Sequence, residues 1–138
     1  MPSRHFFRVS EAVALALHSA TILADSRDKL MSTGELAKML SASENHLSKV
    51  LQRLARADLV KSTRGPGGGF RLTREPDQIT LLNVYEAIEG TMDVTGCLFD
   101  RPICDRRLCI LGGLIRNLEE QTKDYLTKTT LADVAADK

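Results

Sequence analysis

The sequence predicts a mainly α fold in which a helix-turn-helix is followed by a two-stranded wing and then by a long C-terminal helix. Three observations predict it. Apolar residues recur at helical spacing on both sides of a short Ser41-Ala42-Ser43 turn. Gly65-Pro66-Gly67-Gly68-Gly69 then separates two strand-like runs, at 59–64 and 70–73. Finally, Ile110, Leu111, Leu114, Ile115, Leu118, Tyr125 and Leu126 fall at helical spacing within 108–128. With 138 residues, 43% hydrophobic and 27% charged, the chain has the size and balance of one ordered domain. The longest apolar run, 12–17, is far short of the roughly 20 residues that span a bilayer. The first seven residues lack the apolar stretch and small-residue site of a leader, so the expected location is the cytoplasm. Residues 1–76 are expected to form the winged helix-turn-helix region. Residues 77–138 are expected to carry the dimerisation helix and a cysteine loop at 97–109, the whole packing as one compact unit.

The elements follow in order. Residues 10–25 form a first helix rich in Ala and Leu, with Ser10 as N-cap. Ser32-Thr33-Gly34-Glu35 fits a capping box, and Leu36, Ala37, Met39 and Leu40 supply the apolar face of a short second helix. Ser43 caps a third helix from 44 to about 58, whose Leu47, Val50, Leu51 and Leu54 fall at i, i+3, i+4 and i+7. The glycines of the hairpin tip permit positive φ and close backbone approach. A fourth helix is expected at 80–89, with Thr80 as N-cap and Gly90 as terminator. The long helix should run from about 108 to 128. Its Gly112 and Gly113 weaken helicity but admit a neighbouring helix. Such a helix has little of its own chain to bury against, which points to a homodimer. A short helix at 131–135 ends the pattern.

Charge is unevenly placed. Residues 1–75 hold 12 Lys and Arg against 7 Asp and Glu, while residues 76–138 hold 7 against 11. Between 44 and 74, Lys49, Arg53, Arg56, Lys61, Arg64, Arg71 and Arg74 face only Glu44 and Asp58. That excess suits phosphates, although a solvated helix face can be basic for no such reason. In a helix-turn-helix the first turn of the second helix enters a major groove about 12 Å wide. Ser43, Asn45, His46 and Lys49 are then the groove candidates, and Arg53 and Arg56 the backbone ones. At the wing, Arg64 and Arg71 flank the tip, where Gly67 and Gly68 allow close approach to a duplex. A phosphate loop is disfavoured, since no Lys-Ser/Thr pair follows these glycines. No nucleophile triad or carboxylate pair is assembled either, so no enzyme is expected.

All three cysteines, Cys97, Cys104 and Cys109, lie in one stretch, separated by six and then four residues. An odd count excludes full disulfide pairing within the chain. Spacing alone leaves an iron–sulfur cluster, zinc, redox-reactive thiols and coincidence all open.

Taken together, the helix-turn-helix, the Arg64-Gly65-Pro66-Gly67-Gly68-Gly69-Phe70 wing, the clustered cysteines and the final helix with Thr130-Leu131-Ala132-Asp133 resemble the IscR/NsrR/CymR family of bacterial transcriptional regulators. The resemblance covers about the whole chain, and its most specific part is the wing. It implies a homodimer on partly palindromic double-stranded DNA operators. It also implies that Cys97, Cys104 and Cys109 hold a 2Fe–2S or 4Fe–4S cluster whose state alters DNA binding. Cys104 comes one residue later than in the family pattern, and the position where some members carry a histidine ligand is Gly112. Other members use an acid in the first helix, aligned near Ala14, so Glu11 or His18, from either protomer, is the expected fourth ligand. Asp100, Asp105 and a small thiol are rivals. Two other readings stand beside this one: a cofactor-free thiol sensor that still binds DNA, and an iron–sulfur electron carrier, which leaves the basic helix and wing unexplained.

Overall fold

The structure, a computed structural model, describes residues 7, 9–99 and 109–135. Helix α1 spans Glu11–Asp25, and Ser10 caps it by accepting the Val13 N–H at 3.2 Å. The apolar spacing of α1 buries Val13, Ala16, Ala20 and Leu23 against α3 (Glu44–Arg56) and α4 (Leu81–Glu89). Between them lies the short α2, Thr33–Leu40. Its capping box is complete: Ser32 Oγ accepts the Glu35 N–H, and Glu35 Oε1 accepts the Ser32 N–H at 2.9 Å. The Ser32 backbone N–H, and after it the Ser32 hydroxyl, hold the Glu35 carboxyl below its ordinary value of 4.5. Leu36 and Ala37 are buried as the spacing predicts. Met39, read as part of the same face, is instead exposed at the last turn.

Ser41 ends α2 in the left-handed conformation (φ 53°), and within three residues Ser43 opens α3 by accepting the His46 N–H at 3.2 Å. Leu47, Val50, Leu51 and Leu54 of α3 are fully buried, each such side chain contributing about 1.5–3 kcal/mol of transfer free energy. Helix α3 stops at Arg56, short of the expected 58, because Asp58 is left-handed (φ 62°) and turns the chain into the wing.

The wing pairs β1 (Val60–Thr63) antiparallel with β2 (Gly69–Leu72), in a register that sets Lys61 opposite Arg71. A third segment joins it: Met31 and Phe70 exchange two backbone hydrogen bonds, at 3.1 and 2.8 Å. This bridge explains Gly69, where a Cβ would stand 2.6 Å from the Met31 carbonyl. The wing is thereby fastened to the entry of α2.

A 3-10 turn at Pro76–Gln78 leads to α4, whose Thr80–Asn83 capping box is also closed. Helix α5 covers Leu114–Lys128. It starts later than the expected 108, because the chain turns at 109–113 with Gly112 at φ +59°. The last element, α6 (Leu131–Val134), returns to α1 and to the 3-10 turn through a bridge between Thr80 and Thr130, and Leu131 is fully buried. Among the described residues no helix is long and apolar enough to cross a membrane.

Candidate functional site

The basic residues singled out in the sequence fall on two successive elements. Asn45, Lys49 and Arg56 follow at helical spacing along α3, opposite the buried Leu47–Leu51–Leu54 side, with Arg53 beside them; all four are exposed. Ser43 is the N-cap, its hydroxyl turned to the helix backbone. His46 is half-buried, and its Nδ1 lies 3.6 Å from Glu11 Oε1, joining the first turns of α3 and α1. On the wing, Arg64 and Arg71 are exposed. The tip closes when Gly68 N–H donates to Gly65 O at 2.9 Å. Gly67 stands in the open at φ +75°, while a Cβ on Gly68 would come 2.1 Å from the Thr63 carbonyl. Next to the wing, Arg27, Lys61, Arg71 and Arg74 line a polar hollow of about 260 Å³ with Asp28 and Glu75. Arg27 is paired with Glu75 there.

The thiol region is held differently. From Gly90 to Phe99 the chain forms neither helix nor strand, and side-chain carboxylates take the place of a backbone ladder. Glu86 Oε2 accepts the Met92 N–H at 2.7 Å. Glu119 of α5 accepts the N–H groups of Thr95 (3.0 Å) and Gly96 (2.8 Å) on one oxygen, Oε1. Arg116, one turn earlier, donates to Thr95 O at 3.3 Å and covers Gly96, whose φ of +73° favours glycine. Glu119 is only 1% exposed. Charge-assisted hydrogen bonds, worth about 1.5–3 kcal/mol each, offset part of the several kcal/mol that burying a carboxylate costs.

Cys97 follows this pinned stretch. It is half-buried, and its Sγ accepts the Phe99 N–H at 3.4 Å. Cys109 is an exposed free thiol where the chain turns toward α5. Cys104 lies outside the described residues, as do Asp100 and Asp105. Among the described residues no three His, Cys, Asp or Glu side chains gather as a metal site. Glu11 and His18 are both exposed on α1, and the His18 Nδ1 is 2.8 Å from Ala14 O.

The sequence reading missed Glu119. The signal was present: the stripe Ile115, Glu119, Thr122, Leu126 runs along the inward side of α5 and sets a carboxylate where a core residue would stand.

The helix-turn-helix, the fastened wing and the cationic α3 define a winged-helix DNA-binding regulator as the class of protein. A family model described as an iron-dependent transcriptional regulator, Rrf2, matches residues 9–137. The chain belongs to the Rrf2 family of transcriptional regulators, a family of regulators and not of enzymes. It is 32% identical over 123 residues to NsrR of Bacillus subtilis, covering 85% of this chain and 82% of the relative. It is 28% identical over 138 residues to IscR of Sodalis glossinidius, covering 100% of this chain and 79% of that one. Among solved structures, CymR, the global cysteine regulator of B. subtilis, superposes with a TM-score of 0.79 at 29% identity, covering 94% of this chain and 96% of the other. IscR of T. potens gives a TM-score of 0.73 at 22% identity, covering 93% and 85%, and supports the winged-helix fold.

Proposed function

We propose that this regulator acts in the cytoplasm as a homodimer on double-stranded operator DNA, and that an iron–sulfur cluster held by Cys97, Cys104 and Cys109 sets its affinity. The observation that carries the DNA reading is the exposed cationic series Lys49, Arg53 and Arg56 on α3, Arg64 in the wing turn and Arg71 on β2. Asn45, with Ser43 and His46 beside it at the start of α3, would meet base edges, and the arginines the phosphates. Residues 1–76 would supply this surface, and residues 77–138 the seam and the thiol loop.

Dimerisation is supported by apolar side chains of the α5 region that the chain does not cover. Ile110 is 91% exposed and Tyr125 60%, with Leu114 also in solvent. A second copy of the same helix satisfies them.

The donor set suits a cluster: three thiols within a short stretch, one already accepting a backbone N–H of the kind that tunes ligated sulfur. For the fourth position, Glu11 offers an exposed carboxylate. A His18 Nδ1–H donating to Ala14 O leaves Nε2 with its lone pair outward. When bound, such a cluster supplies a centre responsive to oxidants, nitric oxide or iron–sulfur supply. A coupling of about 1–3 kcal/mol between that centre and α3 changes operator affinity about 5- to 150-fold.

A second reading, thiols acting directly as a redox sensor, is favoured by the exposure of Cys109. Anaerobic purification decides between them. The cluster reading expects visible absorbance with iron and acid-labile sulfide in the native protein, and their loss in Cys97→Ala. A colourless, iron-free native protein with oxidant-sensitive DNA binding establishes the second reading instead.

A further inference from the structure

We infer that Glu119 is a positioning residue for Cys97: its buried carboxylate, on α5, fixes the backbone from which the thiol is presented. This rests on the reading of the cysteine loop as the sensing site. Three observations carry it. Glu119 is buried, yet it spends Oε1 on two backbone N–H groups of a stretch with no secondary structure, the second of them adjacent to Cys97. Gly96 is held in a left-handed conformation that brings it against Arg116, so the same helix grips the stretch from two sides. Ile115, one turn before Glu119, is buried outside the main hydrophobic cluster, so among the described residues no large apolar core anchors this end of α5. A carboxylate is a poor choice for filling space there and a good one for collecting convergent N–H donors.

The consequence is mechanical. Cys97 and α5 move as one unit, because Thr95 and Gly96 are bonded to the helix and Cys97 is the next residue. A change at the thiol is thereby delivered to the helix whose exposed apolar side chains form the proposed seam between protomers.

The test uses iron-free full-length protein and separates positioning from folding. Glu119→Leu refills the buried volume with apolar atoms while leaving the Thr95 and Gly96 N–H groups without their acceptor, so it should still fold cooperatively with Tm within about 10 °C of the wild type. In that variant, amide exchange at Thr95 and Gly96 should accelerate by at least about tenfold, while the Leu51 amide in α3 is unchanged. Alkylation of Cys97 by iodoacetamide, followed by peptide-resolved mass spectrometry, should rise relative to Cys109 by a similar factor. Glu119→Gln retains a carbonyl acceptor and should restore both readouts most of the way. Wild-type exchange and an unchanged Cys97-to-Cys109 ratio in the leucine variant would overturn the inference. So would a glutamine variant indistinguishable from leucine. Failure of the wild type to take up iron and sulfide sinks the cluster reading alone, since these measurements contain no metal.

Discussion

The segment from α2 through the wing and the segment from Gly90 through α5 are built by opposite means. In the first, each helix carries its own cap, each apolar stripe meets another, and the hairpin is tied by backbone bonds to Met31. In the second, carboxylates of Glu86 and Glu119 stand in for a ladder, a charged group sits where a core residue would, and Ile110, Leu114 and Tyr125 lie open to solvent. The first segment is completed within this chain, by α1 and α4. The second leaves apolar side chains and a thiol open to solvent, the features on which the proposed dimer and thiol sensing rest.

Substitutions break that contrast to different degrees. The largest effect is expected from Leu51→Ala, which hollows the fully buried side of α3 and should cost about 2–5 kcal/mol in urea denaturation. In the second segment Ile110→Asp should leave the unfolding of the protomer nearly unchanged. It should instead weaken the proposed dimer by about tenfold or more in sedimentation at graded concentration, since a charge on the proposed apolar seam is left unpaired. Equal loss of stability from both substitutions would erase the distinction between the segments.

Smaller is Lys49→Ala. It should lower DNA affinity across all sequences and reduce the slope of log K against log salt by about one. The smallest concerns Glu35, whose carboxyl is held low by the Ser32 N–H and hydroxyl. A depressed carboxylate stabilises the fold above its ordinary value of 4.5, and the gain is lost as pH falls through the lowered value. Glu35→Gln should therefore flatten that limb of an acid titration followed by circular dichroism, its small cost being present at neutral pH and vanishing below the lowered value.

The same contrast governs what the sequence discloses. The stripe Leu47, Val50, Leu51, Leu54, the Ser32–Glu35 box and the glycine tip are local signals, and each appears where its spacing puts it. Met39 escapes the α2 stripe, and α5 starts at Leu114, because a left-handed Gly112 outweighs the apolar period of 108–111. The bond from Glu119 to Thr95 and Gly96 spans more than twenty residues, and no local rule reports a contact of that separation. Its place on the inward stripe of α5 was the one local signal, and it went unread.

The account stands most directly on selection of double-stranded genomic fragments by the anaerobically purified protein at fixed salt, with wild type and Cys97→Ala run side by side. It predicts that the wild type enriches a small set of partly palindromic fragments, that their affinity changes several-fold in Cys97→Ala, and that Lys49→Ala retains all of them more weakly. Equal retention of every fragment by all three proteins would contradict it.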